Sequence, residues 1–518
     1  MTEASRPAGR LEHREVLIVF SGLMLGMLLA ALDQTIVATA LPTIVGELGG
    51  LDHLSWVVTS YLLASTVSTP IYGKLGDMMG RKPVFLAAIL VFLAGSLLAG
   101  LSRSMAELIA FRALQGIGAG GLIVGAQAII GDIVPPRERG RYMGLIGSVF
   151  GVASVAGPLL GGFFVDNLSW RWVFYVNMPV GAVAVAIVAL RLQLHAPPTR
   201  HRIDYVGAGL LTGGVGALIL LTTWGGDEYA WDSPVILGLA GGGVALLVLF
   251  WLQERRAAEP IVPLSLFRSR VFDVASGMGF TIGMAMFGAI TFLPLFLQLV
   301  YGDSPTTSGL RMLPLMGGLL AAAIASGRAI SRIGRYRPFP IAGTAILVVG
   351  MLLLSRLDIA TPRWLASVDM LVVGVGIGLV MQVLVLAVQN DARAEHMGVA
   401  TSTATFFRSV GGSFGVALFG AIFSSRLADG LARLPPDVVS RVGSGVHLSP
   451  ERARALPPGV RGDFLDAFAH ALHGVFLSGA AIAVVPFLLS WLLREVPLRT
   501  TVHLRAAPAE SRRGASAG

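Results

Sequence analysis

The stretch Gly73-Lys74-Leu75-Gly76-Asp77-Met78-Met79-Gly80-Arg81-Lys82-Pro83 decides the fold. It is a short polar segment between two long apolar runs, and it holds the only two lysines of the 518-residue chain. The pattern returns 254 positions later as Gly327-Arg328-Ala329-Ile330-Ser331-Arg332-Ile333-Gly334-Arg335, with Gly73 on Gly327, Lys74 on Arg328, Gly80 on Gly334 and Arg81 on Arg335. The same shift carries Met143-Gly144 onto Met397-Gly398, Gly157 onto Gly411 and Gly161 onto Gly415. One displacement serving several glycines and basic residues points to an internal duplication. The copy departs at one position, where Asp77 becomes Ser331.

With 54% hydrophobic and 13% charged residues, the chain is excluded from the soluble globular class. Its 65 glycines suit helices that pack closely in lipid. There is no cysteine, which excludes disulfides and thiolate metal sites. The net charge of +9 does not indicate a nucleic-acid partner, because the basic residues lie between apolar runs and form no patch. The bilayer is the expected partner. The first fifteen residues are polar and the run after them lacks a small-residue cleavage site, so an uncleaved first helix is expected.

A run that crosses the hydrocarbon needs about 20 residues. Fourteen such runs lie at about 15–40, 55–74, 83–101, 106–131, 141–165, 172–190, 204–224, 234–253, 273–301, 309–328, 338–355, 364–389, 397–424 and 469–493. They show no two-residue alternation, so the fold class is an all-α polytopic membrane protein and not a barrel. With the N-terminus inside, 26 of the 39 Lys and Arg fall in cytoplasmic segments and 5 in the short outer loops. That asymmetry places both ends in the cytoplasm. The long outer loop 425–466 is the exception, with six arginines, and reads as either a folded hairpin or a disordered flap. The chain divides into a cytoplasmic tail (1–14), a six-helix bundle (15–191), a two-helix insert with basic connectors (192–270), a second six-helix bundle (271–495) and a disordered cytoplasmic tail (496–518).

Several residues are chemically expensive in this setting. In the polar loop, glycines allow a tight turn between helices, and Asp77 can take donors from Arg81 or from the amino end of a neighbouring helix. The plain alternative is a positive-inside anchor. Arg112 is a cation inside an apolar helix that either meets a partner or snorkels outward, with Glu107 one turn before it as the candidate local partner and Gln115 extending the polar face. Asp33 lies past the middle of the first run and is a lone carboxyl that must be paired, solvated or functional. A carboxyl set between hydrocarbon and a nearby arginine can take up and release a proton and can pair with a cation, which would make it the proton-coupling residue of a transporter; the alternative is a packing or capping role. Glu107, Asp369, Arg408 and His470 are further cavity candidates. His470 and His473 can pair on one helix face, but no third metal ligand is visible, so no metal is expected. Gly147, Gly151, Gly157 and Gly161, with Pro158 among them, allow close packing and a bend in the fifth run. No Gly-x4-Gly-Lys-Ser/Thr loop is present, and neither a nucleophile–base pair nor a metal cluster supports an enzyme.

The polar loop resembles the loop signature of the major facilitator superfamily, and the rest resembles its fourteen-helix drug:proton antiporter branch. The matching segments are Leu32-Asp33-Gln34-Thr35-Ile36-Val37 through Leu41-Pro42, Arg112-Ala113-Leu114-Gln115-Gly116, Gly157-Pro158-Leu159-Leu160-Gly161-Gly162, and Trp170-Arg171-Trp172 to Asn177-Met178-Pro179. The resemblance implies two six-helix bundles flanking a cavity, with the two inserted helices outside it. It also implies that Gly73, Asp77, Gly80 and Arg81 form a cytoplasmic latch, and that the fifth-helix glycines mark a substrate:proton exchanger. The function implied is multidrug efflux: export of small lipophilic, often cationic compounds from a monomer in the bacterial plasma membrane, with protons as coupling ion and no cofactor. A dedicated lipid or metabolite exporter is the alternative. The Ser331 substitution leaves the ionic latch to the first half alone.

Overall fold

The computed structural model describes residues 13–48, 54–192, 203–226, 228–432 and 457–498. Fourteen long helices run in order: α1 (His13–Leu48), α2 (Leu54–Met79), α3 (Arg81–Leu101), α4 (Met105–Ile133), α5 (Pro136–Asn167), α6 (Asn177–Arg191), α7 (Tyr205–Trp224), α8 (Pro234–Glu254), α9 (Arg270–Leu299), α10 (Leu313–Ile333), α11 (Pro338–Leu354), α12 (Arg363–Asp391), α13 (Met397–Leu431) and α14 (Pro458–Leu492). Among the described residues, twelve helical segments are long and apolar enough to cross a bilayer, Pro338–Leu354 is a shorter apolar helix, and Leu54–Met79 carries the polar loop at its end. The chain is a multi-pass membrane protein, and no strand occurs among the described residues.

Local chemistry sets the helix ends. Ser104, Asp204, Ser233 and Ser269 cap α4, α7, α8 and α9, each side chain accepting from a first-turn backbone N–H. Gly80 and Gly334, at φ 96° and 77°, end α2 and α10 in a backbone region that side chains avoid, and they are the repeat partners read from sequence. Two expected spans are interrupted. A one-turn helix, Trp172–Tyr175, precedes α6, and Pro305–Arg311 precedes α10, where Pro314 starts a new helix.

The expected outer loop is shorter than read. Helix α13 continues to Leu431 and α14 begins at Pro458, so helix occupies both flanks of 425–466. Residues 433–456 and the tail from 499 lie outside the described residues. Residues just before that tail are held: the Tyr336 hydroxyl donates to Arg494 O (2.7 Å) and accepts from Val496 N (3.1 Å), and burial pushes the phenol up to about 12.

Apolar side chains form two main cores. One joins α1 and α3–α6 around Phe85, Phe92 and Ile146, and the other joins α9–α14 around Phe296, Phe419 and Phe476. The halves meet along two seams, α2 against α13 and α5 against α10. Gly73 has no room for a Cβ because Ser402 and the Gly398 carbonyl lie against it, and Gly327 lies likewise on the Gly140 carbonyl. Helix α7 covers the first seam, packing Leu211, Val215 and Ile219 against Val67 of α2 and against Phe406 and Val410 of α13.

Candidate functional site

Three helices bring Asp33, Arg112, Gln115 and Asn177 together inside the first bundle. Asp33 is 0% and Arg112 1% exposed. Arg112 Nη1 donates to Asp33 Oδ2 and to Gln115 Oε1 (2.7 Å), while Gln115 Nε2 donates to Asp33 Oδ1 (2.8 Å). Asn177 Nδ2 completes the carboxylate at 3.3 Å and also donates to Ser96 Oγ (3.0 Å). On the far side, Arg112 Nε donates to Val57 O (3.2 Å), and the guanidinium stacks 4.2 Å from the Tyr61 ring. Arg112 therefore does not snorkel. Its partner is not Glu107, which is exposed at the head of α4 and accepts from Arg103 N (2.8 Å). A substrate cannot share the Asp33 carboxylate in this conformation, because protein donors occupy it and no surface is left. Sequence reading missed Asn177 and Ser96 as members; Asn177 stood in a quoted motif, but only the fold turns it toward Asp33.

At the loop end, Asp77 joins the two halves. It accepts from Arg81 on its own side, and from Gly398 N (3.1 Å) and Val399 N (2.7 Å) at the first turn of α13 on the other. Both donors left open by the sequence are thus used, and the carboxylate sits where a helix N-terminus favours negative charge. Arg81 also donates from Nε to Asp132 Oδ2 (2.9 Å), a partner at the end of α4 not foreseen from sequence. Lys74 pairs with Glu259 in the insert connector at 2.7 Å. The second copy has no such latch: the Ser331 hydroxyl donates to Gly327 O of its own helix (3.0 Å), and Arg328 and Arg335 are exposed.

Just inside this latch is a second crossing between halves. Gln389 Nε2 of α12 donates to Gln127 O of α4 (3.0 Å) and to Thr401 Oγ1 of α13 (3.2 Å). The α5 glycines serve two different contacts. A Cβ at Gly157 or Gly161 would meet Thr35 or Thr39 of α1, two and six residues beyond Asp33 toward the loop-distal end. A Cβ at Gly151 would meet Leu320 of α10 at 2.7 Å, in the other half. Near Pro158, the Thr35 hydroxyl donates to Ala153 O (2.9 Å). Helix α5 thus joins the helix of Asp33 directly to the opposite bundle.

The remaining candidates are dispersed. Asp369 is 4% exposed in the second bundle, on the α12 face that Val373 and Val380 turn toward α11. His470 is exposed, and its Nδ1 lies 3.0 Å from Asp466 O of its own helix, so it is no cavity residue here. His473 instead contacts Ser355 O, so the two histidines do not pair on one site. Arg408 is half-buried a third of the way along α13, its Cβ beside Gly279 of α9.

The sequence profile described as "Major Facilitator Superfamily" matches residues 23–416. An uncharacterized MFS-type transporter of Mycobacterium tuberculosis is 48% identical over 94% of this chain and 70% of its own length. The multidrug transporter protein MdtP of Bacillus subtilis is 43% identical over 81% of this chain and 77% of its own. Among solved structures, the proton:xylose symporter XylE superimposes with a TM-score of 0.63 at 14% identity, covering 96% of this chain and 99% of that one. With a duplicated helical architecture, a latch at the repeat seam and a profile match over most of its length, the chain belongs to the Major Facilitator Superfamily.

Proposed function

We propose that this transporter is an exporter that exchanges lipophilic compounds for protons by alternating access, and not an enzyme. The carrying observation is the sealed Asp33–Arg112 pair. Protonating Asp33 removes the only described counterion of a 1% exposed guanidinium, and an uncompensated buried charge costs about 3–5 kcal/mol. Arg112 must then reach water or another acceptor. It is bound to α1 through Asp33 and to α2 through Val57 O, so its release repacks α1, α2 and α4 together. A cost of that size is enough to move a two-state equilibrium by two to four powers of ten, each tenfold taking about 1.36 kcal/mol. Contacts of α5 with both α1 and α10 give that repacking a route to the second bundle.

With the bacterial relatives and the Lys/Arg asymmetry as support, the loop end is assigned to the cytoplasm of a bacterial plasma membrane. The conformation described is then closed on the cytoplasmic side by Asp77, Gln389 and the Gly140–Gly327 contact. The relative named as a multidrug transporter supports multidrug efflux, with drug resistance as its consequence. Efflux of a fluorescent lipophilic dye from proteoliposomes under an imposed pH gradient tests this. Asp33→Asn should insert and fold yet lose gradient-driven efflux, and uphill efflux by that variant would remove Asp33 from the coupling step.

A further inference from the structure

Arg408 is the interior cation that the Asp33 pair does not account for. Among the described residues it has neither a hydrogen bond nor an ion pair, and its side chain is half-buried. Its place is fixed by helix periodicity. Seven residues are two turns, about 10 Å along the axis, and return a side chain to the same face. On α13, Arg408 lies seven residues beyond Thr401; on antiparallel α12, Gln382 lies seven residues before Gln389. Thr401 and Gln389 are hydrogen-bonded to each other, and Gln389 also reaches Gln127 of the opposite half. Arg408 and Gln382 therefore stand at one level, two turns outward of the closed gate, on the strips that face between the halves.

Their hydrogen-bonding capacities are complementary and unused. The Arg408 guanidinium lacks an acceptor, and the buried Gln382 amide oxygen lacks a donor, an amide that can also be turned to present its N–H. Beside Arg408, α9 presents Gly279 and Gly283, and the latter fits α13 so closely that a Cβ would strike the Arg408 carbonyl. Neither of those two positions carries a side chain against the stem of Arg408. A charge left in a membrane interior marks a ligand pathway by default, and a guanidinium fork matches a carboxylate.

We propose that Arg408, assisted by the Gln382 amide, binds the anionic group of the transported compound, so that the preferred substrates are lipophilic carboxylates and not lipophilic cations. This narrows the exporter reading and rests on it for the word substrate, but its test does not use transport. Equilibrium binding to the purified chain in detergent is read with pyrenebutyrate and with pyrenebutyltrimethylammonium, which share one apolar body and differ in charge. The carboxylate should bind at least tenfold tighter. Arg408→Gln should weaken it at least tenfold, Arg408→Lys should recover part of the loss, and neither should lower the thermal midpoint, because no described contact of the guanidinium is lost. Equal binding of both probes to the unaltered chain overturns the proposal, as does Arg408→Gln leaving carboxylate binding unchanged or lowering the thermal midpoint. Selective carboxylate binding in a chain that fails pH-driven efflux would keep Arg408 and discard the exporter reading; efflux without that selectivity would do the reverse.

Discussion

Replacing Asp77 by Asn keeps the shape of the latch and removes its charge. In the structure the carboxylate accepts from Val399 N at 2.7 Å, from Gly398 N at 3.1 Å and from Arg81. A hydrogen bond to a charged group contributes about 1.5–3 kcal/mol and a neutral one about 0.5–1.5, so each contact loses about 1 kcal/mol. Arg81 keeps Asp132, which limits the damage on that side. The closed state should lose about 2–3 kcal/mol, or about thirty- to 160-fold in its opening equilibrium at 1.36 kcal/mol per tenfold. The chain has no cysteine, so Ser402→Cys, buried in the α2–α13 seam against Gly73, reports opening by its rate of maleimide labelling. On that background Asp77→Asn should accelerate labelling at least tenfold. Ser331→Ala should leave it unchanged, because the Ser331 hydroxyl bonds only its own helix at 3.0 Å. Equal acceleration by both substitutions, or none by Asp77→Asn, would refute the one-sided latch.

Neighbouring glycines give a second test: Gly161→Ala should lower the thermal midpoint, since its Cβ would strike Thr39 and approach Ile36 O at 2.9 Å, while Gly162→Ala, with nothing within 4 Å, should not. At the loop-distal end, Glu47 accepts from Arg171 (2.6 Å) and Trp170 (2.7 Å), and those two donors, Arg171 first, hold its carboxyl below the ordinary 4.5. Its folded value lies below its unfolded one, so this clasp is fully present above about pH 4.5 and is lost as pH falls through the lowered value; Glu47→Gln should remove that acid-side step from the thermal-stability profile. For orientation, an impermeant thiol reagent applied to intact cells should label Ser444→Cys and spare Ser511→Cys, and the opposite result would invert the topology.

The apolar runs, the 254-residue repeat and the two basic copies of the loop determined the helical membrane class, the duplicated halves and the loop as a special place. These features are local: a helix in lipid satisfies its own backbone, so hydrophobic length and glycine spacing are legible along the chain. The same reasoning marked Asp33, Arg112 and Asp77 as costly residues without saying what compensates them. Glu107 was the nearest acid to Arg112 in sequence, yet the acid that pairs with it is 79 positions away on another helix. Asp77 finds its donors 321 and 322 residues on, and Asn177 reaches Asp33 from 144 positions away. The α5 glycines read as one motif and divide between α1 and α10 only once both helices are packed against them. Which cations are neutralised and which, like Arg408, are left open depends on the rotation of each helix about its own axis. Packing in the whole bundle sets that rotation, because lipid gives a single helix no strong preference among its apolar faces.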